Sequence, residues 1–160
     1  MGATAAVNMI GRRLTLLRHA QAYAARAGQH DFERPLDPMG LQQLRTRAPA
    51  FAAATADFPV DRCLYSPALR TATTAAAFVA AVGLPAEAAT PEPSLYEIEL
   101  PALLDLLRRV PQTTGHLLVV GHNPTLSTLA WRLSPDAPRG GLSPADHVTV
   151  TVPGEWFGLR

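Results

Sequence analysis

The stretch HLLVVGHNP, residues 116–124, constrains the fold of this chain more than any other. Its apolar run is rich in β-branched valine, too short for an independent helix, and cut off by Gly121. That combination marks a buried strand. LTLL at 14–17 is a second short apolar run, bounded by charge at Arg13 and Arg18. DRCLYS supplies a third around Arg62–Tyr65, HVTVTV at 147–152 alternates with period two, and WFGLR at 156–160 reads as a last strand.

Helical patterns lie between these runs. LQQLRTRAPAFAAA, 41–54, has helical period, with Pro49 as a point of kinking or division. ALRTATTAAAFVAAV follows Pro67, which occupies a first-turn position, and runs to Gly83. Pro101 opens PALLDLLRRV and Pro111 stops it, while TLSTLAWRL is helical after Pro124. The segments with Gly28, Pro35, Pro38 and Gly40, and the stretch TPEPSLYEIEL, read as loops. Strands alternating with helices predict a single α/β domain, a three-layer sandwich with a mostly parallel central sheet flanked by helices. The domain is expected over 14–160, behind an N-terminal arm at 1–13 whose arginines follow its weakly apolar part, the wrong order for a signal peptide.

Composition removes several classes of function. A formal charge of +1 gives no basis for a nucleic-acid surface or a membrane-binding face, and no apolar run approaches a membrane span. All 14 basic residues are arginine, which excludes a Schiff-base or P-loop lysine. The single Cys63 permits no intrachain disulfide; it reads as a buried structural thiol and suits a reducing cytoplasm. Nothing in the chain demands more than a monomer.

Ligands of open α/β sheets bind beyond the carboxyl ends of the strands. Here the first strand ends in Arg18-His19, the second runs into SPALR with Arg70 about one turn into the next helix, and a third ends in Gly121-His122-Asn123-Pro124. A parallel sheet gathers these two arginines and two histidines at one rim. Guanidinium forks match phosphate oxygens and stay charged. Helix starts offer free N–H groups to an anion. A neutral histidine is a competent nucleophile, and a protonated one donates to a phosphoryl oxygen. Taken singly, Arg18 and Arg70 would be surface arginines and His19 a structural histidine; His30, His116 and His147 remain structural or surface residues. A zinc site is disfavoured, because the chain has no HxH or HExxH spacing, no cysteine cluster, and arginines beside the histidines.

LLRHAQA, SPALRTATTA and VVGHNPTLSTLA, in that order, resemble the three signature segments of the histidine phosphatase superfamily. ERPLDPMGLQQL at 33–44 and PSLYEIELPALLDLLRRV are similar to further segments of its SixA-like phosphohistidine phosphatase branch. The resemblance spans about Leu14 to Arg160 and implies a phosphoglycerate mutase-like fold. It implies that His19 is the nucleophile and that Arg18, Arg70 and His122 hold the phosphoryl oxygens, joined by Arg34 and Asn123. It implies no metal and no cofactor. Ala20 replaces the glycine common after the first histidine, a substitution the SixA-like branch tolerates; its methyl narrows the pocket if the backbone there needs positive φ.

Relatives acting on esters use a carboxyl group as general acid. Glu97 is the first candidate here and Glu99 the second. A phosphohistidine carries its leaving proton beforehand and works with a weak acid or none. The expected substrate is a phosphohistidine-bearing protein, with a small phosphoester metabolite as the alternative; a non-catalytic phosphate- or phosphoprotein-binding module is the reading from another class.

Overall fold

The structure, a computed structural model, describes residues 11–160; most of the expected N-terminal arm, residues 1–10, lies outside the described residues. Five strands are described, β1 (Arg12–Arg18), β2 (Arg62–Tyr65), β3 (Ala89–Pro91), β4 (His116–Gly121) and β5 (His147–Val152). They form one sheet in the order β3-β2-β4-β1-β5, parallel except for β5, which runs antiparallel to β1 at the edge. Four helices, α1 (Pro38–Ala54), α2 (Leu69–Val82), α3 (Leu100–Arg108) and α4 (Thr125–Leu133), flank it. The three-layer sandwich with a mostly parallel sheet is the architecture expected.

The apolar runs explain the layering, since successive strand residues face opposite sides of a sheet. Leu14, Leu16, Leu117 and Val119 pack with Leu103 and Leu107 of α3 and Leu126 and Leu129 of α4. Leu17, Leu118 and Val120 pack with Leu44 and Phe51 of α1 and Phe78 of α2. Each such buried side chain contributes roughly 1.5–3 kcal/mol relative to exposure. Among the described residues, no helix is long and apolar enough to cross a membrane.

Several boundaries differ from expectation. β1 starts at Arg12, two residues before the predicted domain start, and Arg12 is buried. Its guanidinium donates to Glu155 Oε2 at 2.7 Å, to the Gln112 carbonyl at 2.9 Å and to the Gly154 carbonyl, so the buried charge is paired. α1 starts at Pro38 because Asp37 caps it, its Oδ1 accepting from the Gly40 N–H at 2.8 Å. The helix runs unbroken through Pro49. α2 starts at Leu69, so Arg70 sits in its first turn and not one turn in. The expected strand in WFGLR is instead a 3₁₀ turn, Trp156–Gly158. Trp156 is fully buried there, with its indole N–H donating to the Thr114 carbonyl at 2.9 Å. β3, three residues ending in Pro91, was not legible as a strand; an edge position tolerates its proline.

Candidate active site

β1 and β4 are parallel neighbours with Arg18 opposite Gly121, so the residue after each strand end, His19 and His122, emerges at the same rim. The His19 N–H donates to the Gly121 carbonyl at 3.1 Å, tying the two ends together. The rings lie with centroids 5.3 Å apart and planes inclined at 60°. β2 ends alongside, and the Ser66 N–H donates to the Val120 carbonyl at 3.1 Å. Arg70 follows one short turn later and points its buried side chain into the same place.

The result is a pocket of about 390 Å³ whose walls include Arg18, His19, Arg34, Arg70, Tyr96 and His122. Its tautomers follow from fixed partners. The His19 Nδ1–H donates to the Ala20 carbonyl at 2.7 Å, which leaves Nε2 with a free lone pair. Burial, and then the charges of Arg70, Arg18 and Arg34, bring the His19 pKa down to about 4 against the opposing pull of that hydrogen bond. His19 is therefore a neutral base at physiological pH. His122 has the opposite tautomer. Arg70 Nη2, a donor only, is 3.5 Å from Nδ1, while Nε2 lies 2.8 Å from Ser66 Oγ and 3.3 Å from Thr71 Oγ1. Burial, followed by Arg70 and His19, lowers its pKa to about 3.

Two buried donors at the site have no acceptor among the described residues, Arg18 Nε and Arg70 Nε. The third such atom, Arg12 Nε, is at the far end of β1. A desolvated guanidinium N–H without a partner costs about 1–3 kcal/mol or more, so these two are donors whose acceptor is missing from the scaffold. Arg18 is itself anchored, its Nη1 donating to the Leu142 carbonyl at 2.9 Å.

The family described as the histidine phosphatase superfamily (branch 1) matches residues 14–105, more than half of the chain. The chain belongs to the histidine phosphatase superfamily. Among solved structures it is similar to a protein assigned as the phosphohistidine phosphatase SixA from Agrobacterium tumefaciens, at 27% identity and TM-score 0.76, covering 88% of this chain and 91% of that one. A protein so assigned from Nakamurella multipartitia gives 28% identity and TM-score 0.71, covering 92% of this chain and 88% of that one. A protein histidine phosphatase SixA complexed with tungstate shares the fold at 23% identity and TM-score 0.73, with 88% of each chain covered. No curated protein matches the sequence.

Within this superfamily member, the residues singled out from the sequence meet at the pocket but differ in availability. His19, Arg18, Arg70 and His122 converge as expected. Arg34 lines the pocket, with Nε donating to Asp31 Oδ1 at 2.8 Å and Nη1 to the Tyr23 carbonyl at 2.7 Å. Asn123 also lines it, but its amide is turned to the scaffold: Nδ2 donates to the Leu142 carbonyl at 2.9 Å and Oδ1 accepts from Ser127 at 2.6 Å. Asn123 and Arg18 thus share one carbonyl, and the amide braces the loop that braces the arginine. Glu97 is exposed at the pocket wall, whereas Glu99 lines an adjoining cavity. Ala20 is buried, and Ala145 is the one non-glycine residue with positive φ among the described residues, so the methyl of Ala20 imposes no backbone strain.

Sequence reasoning passed over Asp31, Tyr96 as a polar group, Ser66 and Thr71. Asp31 accepts from Tyr96 Oη at 2.7 Å and from Arg70 Nη2 at 3.0 Å. The Tyr96 hydrogen bond first, and then Arg70 and Arg34, hold its carboxyl well below the usual carboxylate range. Its position in HDFERPL, three residues before Arg34, was the available signal. Cys63 is buried, and burial raises its thiol to about 12, which suits a structural role.

Proposed function

We propose that this chain is a phosphatase that removes the phosphoryl group from protein phosphohistidine through a phosphohistidine intermediate on His19. The observation that carries the reading is the locked His19 tautomer, with a neutral Nε2 beside three arginines and a second histidine.

In the first step the lone pair of His19 Nε2 attacks phosphorus in line while the bond from phosphorus to the substrate imidazole breaks. The substrate ring enters protonated on its distal nitrogen, so it leaves as neutral imidazole. His19 takes over the positive charge, with Nδ1–H still held by the Ala20 carbonyl. Arg18, Arg70 and Arg34 supply donors to the oxygens as charge redistributes in the transition state, and His122 joins them once its Nδ1 has taken a proton from the incoming phosphoryl group. In the second step water attacks phosphorus, the bond to His19 Nε2 breaks, and dihydrogen phosphate leaves with both water protons. No general acid is required for this substrate. For an ester, whose alkoxide needs a proton, we assign the general-acid role to Glu97, since it lines the pocket and Asp31 is committed to Arg70, Arg34 and Tyr96.

A formal charge of +1 supports action without nucleic acid, and the single cysteine suits a reducing cytoplasm. The test compares wild type and His19→Ala on a phosphohistidine peptide and on p-nitrophenyl phosphate. Wild type is expected to turn over the peptide with the higher kcat/KM and to trap acid-labile phosphate, and the variant to lose at least roughly 10³-fold in rate. A wild type that prefers small phosphoesters would move the assignment to a metabolite phosphatase, and one inert to both would end the enzymatic reading.

A further inference from the structure

Asp31 holds three groups of the pocket with one short stretch of chain. The Arg70 guanidinium presents its Nη1–Nη2 edge to it, Nη1 donating to the Asp31 carbonyl at 2.7 Å and Nη2 to Oδ2 at 3.0 Å. Arg34 Nε donates to Oδ1 at 2.8 Å. The Tyr96 hydroxyl donates to Oδ2 at 2.7 Å. These partners come from three separate elements: the start of α2, the segment before Pro35, and the 3₁₀ turn Pro93–Glu97.

A guanidinium has two forks, and Asp31 occupies only one. The other pairs the Nε–H with the outer hydrogen of Nη2. That Nε is buried without an acceptor, and that Nη2 lies 3.5 Å from His122 Nδ1. The occupied fork therefore orients the vacant one toward His122. Arg34 is treated alike, with Nε and Nη1 engaged and Nη2 left over. The Asp31 side chain is itself 51% exposed, while that of Arg70 is 6% exposed. A half-exposed carboxylate gripping a buried arginine adds little to the core, and its effect falls on the geometry of the donors.

We propose that Asp31 is a positioning residue of the phosphoryl pocket, which fixes Arg70 and Arg34 so that their unoccupied N–H groups converge with His122 on the substrate's oxygens. The assignment rests on the proposed phosphatase function. Two other roles predict different signs. A carboxylate that occupied the anion site itself would compete with phosphate, and a surface ion pair with no role would leave binding unchanged.

The experiment measures binding of inorganic phosphate by calorimetry to wild type, Asp31→Asn, Arg70→Ala and the double variant, together with kcat, KM and Tm. Positioning predicts that Asp31→Asn raises the phosphate Kd and the substrate KM at least tenfold with Tm nearly unchanged. It also predicts that the same change costs less once Arg70 is absent, because the part of its effect that runs through that guanidinium is already lost. Tighter phosphate binding by Asp31→Asn, or an unchanged Kd, would overturn the assignment. So would full additivity with Arg70→Ala. If wild type binds no phosphate, the proposed function falls and the assignment with it, whereas wild-type binding with an inert Asp31→Asn removes the assignment alone.

Discussion

His19 and His122 stand with ring centroids 5.3 Å apart and hold opposite tautomers, with the lone pair on Nε2 in His19 and on Nδ1 in His122. The Ala20 carbonyl sets the first tautomer; the Ser66 hydroxyl and the Arg70 guanidinium set the second. Two like rings thereby present nitrogens of different character to one pocket, and the proposed mechanism uses the first as nucleophile.

The acid limb of kcat/KM is expected near pH 4, not near the ordinary histidine value. In the proposed mechanism His19 attacks only when neutral, and burial with Arg70, Arg18 and Arg34 holds its pKa at about 4. Activity should be retained at pH 5.5 and fall as pH drops through about 4. Arg34→Gln removes one of those charges, so its limb should move upward. A wild-type limb at about 6.5 in the pH–rate profile would contradict this electrostatic account.

Stability should follow the same histidines. Their folded pKa values lie below the ordinary 6.5, with His19 at about 4, His122 at about 3, and His116 and His147 lowered by burial. Between about pH 6.5 and 4 the unfolded chain binds more protons than the folded one, so stability rises with pH across that window. The contribution is complete above about pH 6.5 and is lost as pH falls toward the folded values. Thermal denaturation at half-unit pH intervals should show Tm declining below about pH 6.5, and a flat Tm down to pH 4 would contradict it.

Arg70→Lys keeps the charge but has no fork. It cannot hold Asp31 with two donors and also present an Nε–H to the substrate. The expected loss in kcat/KM is roughly 10–100-fold, the scale of one or two charge-assisted hydrogen bonds. Steady-state kinetics on a phosphohistidine peptide measure it.

Glu97→Gln separates the two substrate classes. Hydrolysis of an alkyl phosphate should fall by roughly 10²-fold or more, the usual range for losing a general acid. Hydrolysis of phosphohistidine should change little, since its leaving imidazole brings its own proton. Parallel losses on both substrates would give Glu97 a different role.

Gly40→Ala should destabilise the fold from outside the pocket. A Cβ built on Gly40 would lie 2.0 Å from the Gln21 carbonyl oxygen, a backbone atom that cannot step aside. Gln21 is further pinned by its N–H to Gln43 Oε1 at 2.9 Å and by its own Nε2 to Asp37 Oδ2 at 2.8 Å. Overpacking of this kind costs about 1–3 kcal/mol, occasionally more, and urea unfolding midpoints would report it.

Local pattern was enough for the strands that end in Arg18, Tyr65 and Gly121, because a short apolar run records in its own composition that both its faces are covered. It also sufficed to bring Arg18, His19 and His122 to one rim, with Arg70 in the helix start just beyond β2, since parallel strands bring their carboxyl ends together whatever the loops do. The path of the loops was not recorded in that way. Asp31 meets Arg70 and Tyr96 only because the segment after β1 folds back over the start of α2, and no periodicity in HDFERPL encodes that return. Asn123, an expected substrate contact, lines the pocket while its amide bonds to the Leu142 carbonyl and Ser127. The last five residues, an expected strand, form a 3₁₀ turn at Trp156, whose indole is buried with the leucines of α3. Strand ends and residue types are properties of short segments, so the sequence determined the chemistry available at the rim. Which donors are left free, and which are spent on the scaffold, depends on contacts between distant segments, and only the tertiary structure decided it.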